Sequence, residues 1–124
     1  YDVNSNMMSL RADGLFMISL ETQNQTAKEA IKVTQDTLGQ FIQQGPTAAE
    51  LQAAKQSITG GYPLLFDSNS AIFSDVMLIA TYQLPLNFFD TYKQRIDNVT
   101  TQEIKAAWQK HIDLKQLSIV SVGG

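Results

Sequence analysis

Cysteine is absent from the 124 residues, and histidine occurs once, at position 111. The first absence excludes a disulfide framework, a thiolate metal site and a cysteine nucleophile, without fixing a compartment. The second removes most of what remains for a catalytic zinc, which takes three protein ligands and a water. Charge is also scarce: nine basic residues are scattered along a chain of net charge −3. No basic patch is therefore available for nucleic-acid phosphates or an anionic membrane surface. No apolar run approaches the roughly 20 residues needed to span a bilayer, so membrane insertion is not expected. There is no internal repeat and no low-complexity tract. Gly60-Gly61 has neither the strand-then-helix context nor the lysine of a P-loop.

What is present is helix punctuation. Gly45-Pro46 stops one helix, Thr47 can cap the next, and Glu50 stands where its carboxylate reaches back to the Thr47 amide. Thr26 with Glu29, and Thr100 with Glu103, repeat this capping-box spacing. Asp67-Ser68-Asn69 offers a cap for a helix whose Ile72, Phe73, Val76, Met77 and Ala80 form a broad apolar face, the pattern of burial between layers. A shorter helix is expected from Asn87, after Leu84-Pro85-Leu86 interrupts the periodicity. Gly60-Gly61-Tyr62-Pro63 predicts a kink or a close approach, because paired glycines and a proline both weaken a helix.

Strands flank these helices. Tyr1, Val3 and Met7 alternate with Asp2, Asn4 and Asn6, the period of a half-buried strand. Asp13-Gly14 supplies a hairpin turn, and the near-continuous apolar run from Leu15 to Thr22 reads as a sheet interior. Leu117 to Val122 predicts a last strand in the same sheet as the hairpin. The sum is an α+β domain over residues 1–124, with helices layered on one face of an antiparallel or mixed sheet and apolar residues enough for one core.

The order of these segments resembles the C-terminal, non-catalytic domain of the M16 (insulinase or pitrilysin) zinc peptidases, in particular the bacterial two-part members related to the mitochondrial processing peptidase. The resemblance rests on Gly14-Leu15-Phe16-Met17-Ile18, on the Gly45-Pro46-Thr47 to Ala54-Lys55 segment, and on Tyr62-Pro63-Leu64 with Asp67-Ser68-Asn69. Leu84-Pro85-Leu86 before Tyr92, Val99-Thr100-Thr101 and the closing Val122-Gly123 extend it over nearly the whole chain. It implies a two-layer sandwich with more strands than these, the others lying before Tyr1. The opening at Tyr1 without an initiator Met fits that expectation of a longer polypeptide.

The resemblance also implies a division of labour. A peptidase of this family carries His-x-x-Glu-His on a helix, two imidazoles holding one zinc while the glutamate activates its water. This chain lacks the motif, so no metal or catalytic residue is expected in it, and zinc is expected in a homologous partner domain or subunit. The chain would then wall the chamber that takes a peptide substrate, with a bacterial periplasm or envelope as the location implied. Two other readings stand beside it: a non-peptidase structural subunit of the same fold, and an unrelated α+β interaction module.

Residue by residue, the bland readings are these. His111 lies at the end of a helix, as a structural or charge-compensating side chain, and Asp113 two residues away makes no triad with it. Asp67, Asp75, Asp90 and Asp97 fall at helix starts and polar faces, where caps and solvation account for them. Phe88, Phe89, Tyr92 and Trp108 stand at core spacing, and Met7, Met8 and Met17 read as core filler. By resemblance, Tyr1 matches a substrate-binding tyrosine whose phenol donates to an oxygen gaining negative charge, in company with an upstream arginine. An interfacial strand tyrosine is the alternative for the same residue.

Overall fold

The computed structural model describes residues 2–10 and 14–123. Strand β1 (Asp2–Met8) pairs antiparallel with β2 (Leu15–Glu21), in the register Val3↔Leu20, Ser5↔Ile18 and Met7↔Phe16. Directly opposed residues share a face, so this register carries the apolar alternation of both strands to one side. The hairpin turn expected at Arg11-Ala12-Asp13 lies outside the described residues.

Helix α1 (Ala27–Gln44) lies behind the hairpin. Its expected capping box is not made. A single 3-10 turn over Asn24–Thr26 precedes the helix, and Thr26 accordingly sits at φ −102° and ψ 0° rather than in extended backbone. Its hydroxyl donates instead to the Gln23 carbonyl at 3.1 Å and pairs with the Thr22 hydroxyl at 2.7 Å. Capping needs the extended backbone that aims Oγ at the first-turn amides, and the 3-10 turn removes it.

The other two boxes form as expected. Ahead of α2 (Ala48–Gly60), Thr47 Oγ1 accepts from the Glu50 amide at 3.2 Å and Glu50 Oε2 accepts from the Thr47 amide at 2.7 Å. Ahead of α5 (Thr101–His111), Thr100 and Glu103 repeat the geometry at 3.2 and 2.8 Å. Helix α2 ends at Gly60, and Tyr62–Phe66 continues as a 3-10 turn with Pro63 in its first residues. A Cβ on Gly60 would meet nothing within 4 Å, and one on Gly61 only the Ser57 and Ile58 carbonyls at 3.7 and 3.9 Å, so the glycine pair does not serve a close approach.

Helix α3 (Asn69–Tyr82) is capped by Ser68, whose Oγ accepts from the Ala71 amide at 3.1 Å. It stops at Gln83, which takes the left-handed conformation at φ 53°. The helix expected from Asn87 begins only at α4 (Tyr92–Asn98). Residues 86–91 form turns instead, with the Phe88 amide donating to Pro85 O and the Tyr92 amide to Phe89 O.

Two aromatic clusters organise the packing. In the first, Trp108 of α5 stands edge-on to Phe16 of β2 at 4.9 Å and to Phe41 of α1 at 5.1 Å, joining sheet and two helices. In the second, Tyr62, Phe66, Phe89 and Tyr92 bring the 3-10 turn onto α4, and the Tyr62 hydroxyl donates to the Phe89 carbonyl. Arg95 lays its guanidinium 4.1 Å from the Phe88 ring centre. Lys55 Nζ donates to the Asp97 carbonyl at 2.6 Å and so ties α2 to the C-terminal end of α4.

Three expectations are corrected. Residues 117–123 join no ladder, and the described sheet has two strands. The apolar face expected to be buried on α3 points outward: Phe73 is 65% and Val76 56% exposed, while Ala71, Asp75 and Ile79, one turn apart, take the sheltered side. Met7, Met8 and Met17 are exposed, so they fill no core among the described residues. Leu38 alone is buried there, and the single core that composition allows is not closed. The chain exposes 9843 Å², whereas a compact monomer of its 13.8 kDa mass exposes about 6,600 Å². The mixed α+β class with helices on a sheet is as expected; the sheet is narrower than the sequence implies.

Candidate functional site: the sheet and its two open flanks

The surfaces around the hairpin are the chemically distinctive ones. On the helix-facing side, Phe16, Ile18 and Leu20 of β2 and Val3 of β1 look across a groove of about 910 Å³ at Ala30, Val33 and other residues of α1. Val33 remains 56% and Val3 68% exposed, so the groove is apolar and open. Its mouth carries the carboxylates Asp2, Glu21 and Glu29, because the strand register sets Asp2 opposite Glu21.

The second flank is an edge, not a face. A slot of about 560 Å³ is lined by every residue of β2 from Phe16 to Glu21 and, on its far side, by every residue from Leu117 to Val122. Consecutive residues line a gap only where it runs along a strand's backbone edge, since a face shows alternate residues.

Tyr1, the one sequence-derived site residue, lies outside the described residues. Its chain neighbour Asp2 is the first residue of β1 and accepts from Asn4 Nδ2 at 3.5 Å. His111 sits exposed in the last turn of α5 beside Lys110, where a cation compensates unpaired helix carbonyls. Asp113 is engaged elsewhere: its carboxylate accepts from the Lys115 amide at 3.0 Å and from Gln116 Nε2 at 3.1 Å. These bonds, the Lys115 amide first, hold its carboxyl below the usual aspartate value. No group of three or more His, Cys, Asp or Glu is placed to hold a metal among the described residues.

Sequence reasoning missed Asp75. It lies on the sheltered side of α3 between Ala71 and Ile79, and its Oδ2 is enclosed without a hydrogen-bond partner. A carboxylate amid apolar helical residues was the available signal, hidden by taking the larger apolar face as the inward one. Asp97 has a solvated role, pairing with Lys93 at 2.7 Å.

The comparisons with known proteins follow this geometry. The family model described as the peptidase M16 inactive domain matches residues 1–58. The crystal structure of a peptidase M16 inactive domain from Pseudomonas fluorescens superposes with a TM-score of 0.84 at 30% identity, over 92% of this chain and 27% of that one. Sequence in the first half and fold over nearly all of the chain are thus similar to those of peptidase M16 inactive domains. Among curated proteins, the non-peptidase homolog YmxG of Helicobacter pylori is 26% identical over 103 residues, 83% of this chain and 24% of that protein. The chain therefore spans about a quarter of the length of these relatives.

Proposed function

We propose that the chain is a chamber-forming, substrate-binding part of an M16-type zinc peptidase assembly and works beside a domain or subunit that carries His-x-x-Glu-His. The observation that supports this is the match in fold and sequence to M16 inactive domains in a chain with one histidine, exposed at a helix end. Such a chain contributes walls and strand edges, while zinc, water and general base come from the partner. Tyr1, the residue before Asp2 in sequence, would donate its phenol hydrogen to the oxyanion of the scissile carbonyl in the assembled chamber.

The test is reconstitution. The intact polypeptide is mixed with its His-x-x-Glu-His-bearing partner, and cleavage of a quenched fluorescent peptide is followed for each alone and for both. Activity should require both components, and Tyr1→Phe should lower kcat/KM on the order of 10²-fold with little change in Tm. A partner fully active alone would reject the proposal. A stable but inactive complex would favour the second reading, a structural non-peptidase subunit, which the name of the Helicobacter pylori relative supports.

A further inference from the structure

The apolar groove between the hairpin and α1 is chemically polarised along its length. At one end Trp108 stands edge-on to Phe16 and Phe41. The strand register sets the other end at Asp2 and Glu21, five residues along β2 from Phe16 and so about 17 Å away. Ile18 and Leu20 continue the apolar floor between the two ends.

The far end is acidic without compensation. Asp2 lies directly opposite Glu21, a placement of like charges that weakens a ladder. Glu29, in the first turn of α1, adds a third carboxylate to the same end. The helix dipole accounts for Glu29, but it does not account for Asp2 against Glu21. Among the described residues the ion pairs are Lys32 with Asp36 and Lys93 with Asp97, so none of the three carboxylates is neutralised. No Lys, Arg or His lines the groove.

We propose that this groove binds an amphiphilic organic cation, with its apolar chain along Phe16, Ile18 and Leu20 and its ammonium head among Asp2, Glu21 and Glu29. Charge complementarity selects the head, because a cation relieves the opposed carboxylates and an anion adds to them. The volume of about 910 Å³ is that of a small-ligand site, for which about 300–1,000 Å³ is usual. Val33 and Val3, both more than half exposed, leave apolar wall for the chain to cover. A second copy of the chain is a poor occupant, since it brings the same carboxylates and the same net charge of −3. The proposal does not rest on the peptidase assembly, because binding is read without cleavage.

The experiment is calorimetric titration of the intact polypeptide with dodecyltrimethylammonium below its micelle concentration, with Tm measured alongside. One equivalent should bind at least about tenfold more tightly than dodecyl sulfate. Tm should rise, as it does for a ligand of the native state and not for a denaturing detergent. The double variant Glu21→Gln, Glu29→Gln should lower affinity for the cation about tenfold and leave that for uncharged dodecyl maltoside unchanged. Val33→Trp, at an exposed position, fills the groove and should abolish binding of all three probes while Tm without ligand is kept. Equal affinity for cation and sulfate, or an affinity that the glutamines do not move, would overturn the proposal. Failure of the intact polypeptide to bind any probe would overturn it as well, by showing that another segment of that polypeptide fills the groove.

Discussion

Gly45 holds φ 73° with ψ −177°, a region that side chains other than glycine's do not enter, and it does so against α5. A Cβ there would sit 3.0 Å from Lys105 Cβ and 3.5 Å from the Thr101 carbonyl. Gly45→Ala combines backbone strain with a contact that α5 can relieve only by shifting, so a loss of about 2 kcal/mol is expected. The measurement is urea unfolding of the intact polypeptide; an unchanged midpoint would show that the α1–α2 junction tolerates a side chain. At this scale the sequence was legible where a rule is local. Gly45-Pro46 reads as a stop without knowledge of α5, but the requirement for glycine in particular comes from a helix 60 residues away and cannot be read from the dipeptide. Asp75 was illegible for a related reason, because which side of α3 is sheltered depends on the 3-10 turn packed against it.

The helix starts show the same boundary at the level of elements. Three boxes had the right residues, and two formed. Thr47→Ala and Thr100→Ala should each cost about 1 kcal/mol in urea unfolding through the lost cap, whereas Thr26 makes no cap bond and Thr26→Ala removes only its bonds to Thr22 and Gln23. The boxes also set a pH dependence. The Thr47 amide and then its hydroxyl lower the Glu50 carboxyl below its usual 4.5. For Glu103 the Thr100 hydroxyl leads and the amide follows, with Lys55 adding a smaller pull in the same direction. Folding thus favours the ionised forms: their stabilisation is complete above about pH 5 and is lost as pH falls through the depressed folded values. Tm measured between about pH 5 and pH 3 should fall less steeply in a Glu50→Gln, Glu103→Gln variant than in the unsubstituted protein. An identical slope would remove these two carboxyls from the acid response. The missed strand differs in kind from the missed cap. Leu117 to Val122 has strand composition, but a ladder is a relation between two segments, and no local pattern supplies the second one.

For the whole molecule, the deciding quantity is exposed surface. The fold class and the layering of helices on a sheet were legible from periodicity and caps, and so was the resemblance to M16 inactive domains. The outward turn of the α3 apolar face and the open flanks of the hairpin were not, because hydrophobic pattern shows that a face wants cover without showing what covers it. A chain exposing 9843 Å² with one buried residue among those described should, taken as residues 1–124 alone, bind a hydrophobic dye and self-associate. Dye fluorescence with size-exclusion chromatography checks this; a dye-free monomer would mean that the exposed apolar faces rearrange against one another.

The slot beside β2 also carries a consequence in time. Its two walls lie about 100 residues apart in sequence, so at a synthesis rate of about 5–20 residues per second the second wall follows the first by on the order of 5–20 s. Helix formation and hairpin closure take microseconds, and α1 to α5 can therefore all form while the outer edge of β2 still lacks its far wall. During that interval the growing chain displays an apolar strand edge, the surface that neighbouring nascent chains pair with most readily. Slowing translation over residues 100–116 would lengthen the exposure and should lower the yield of soluble protein without altering one atom of the folded product.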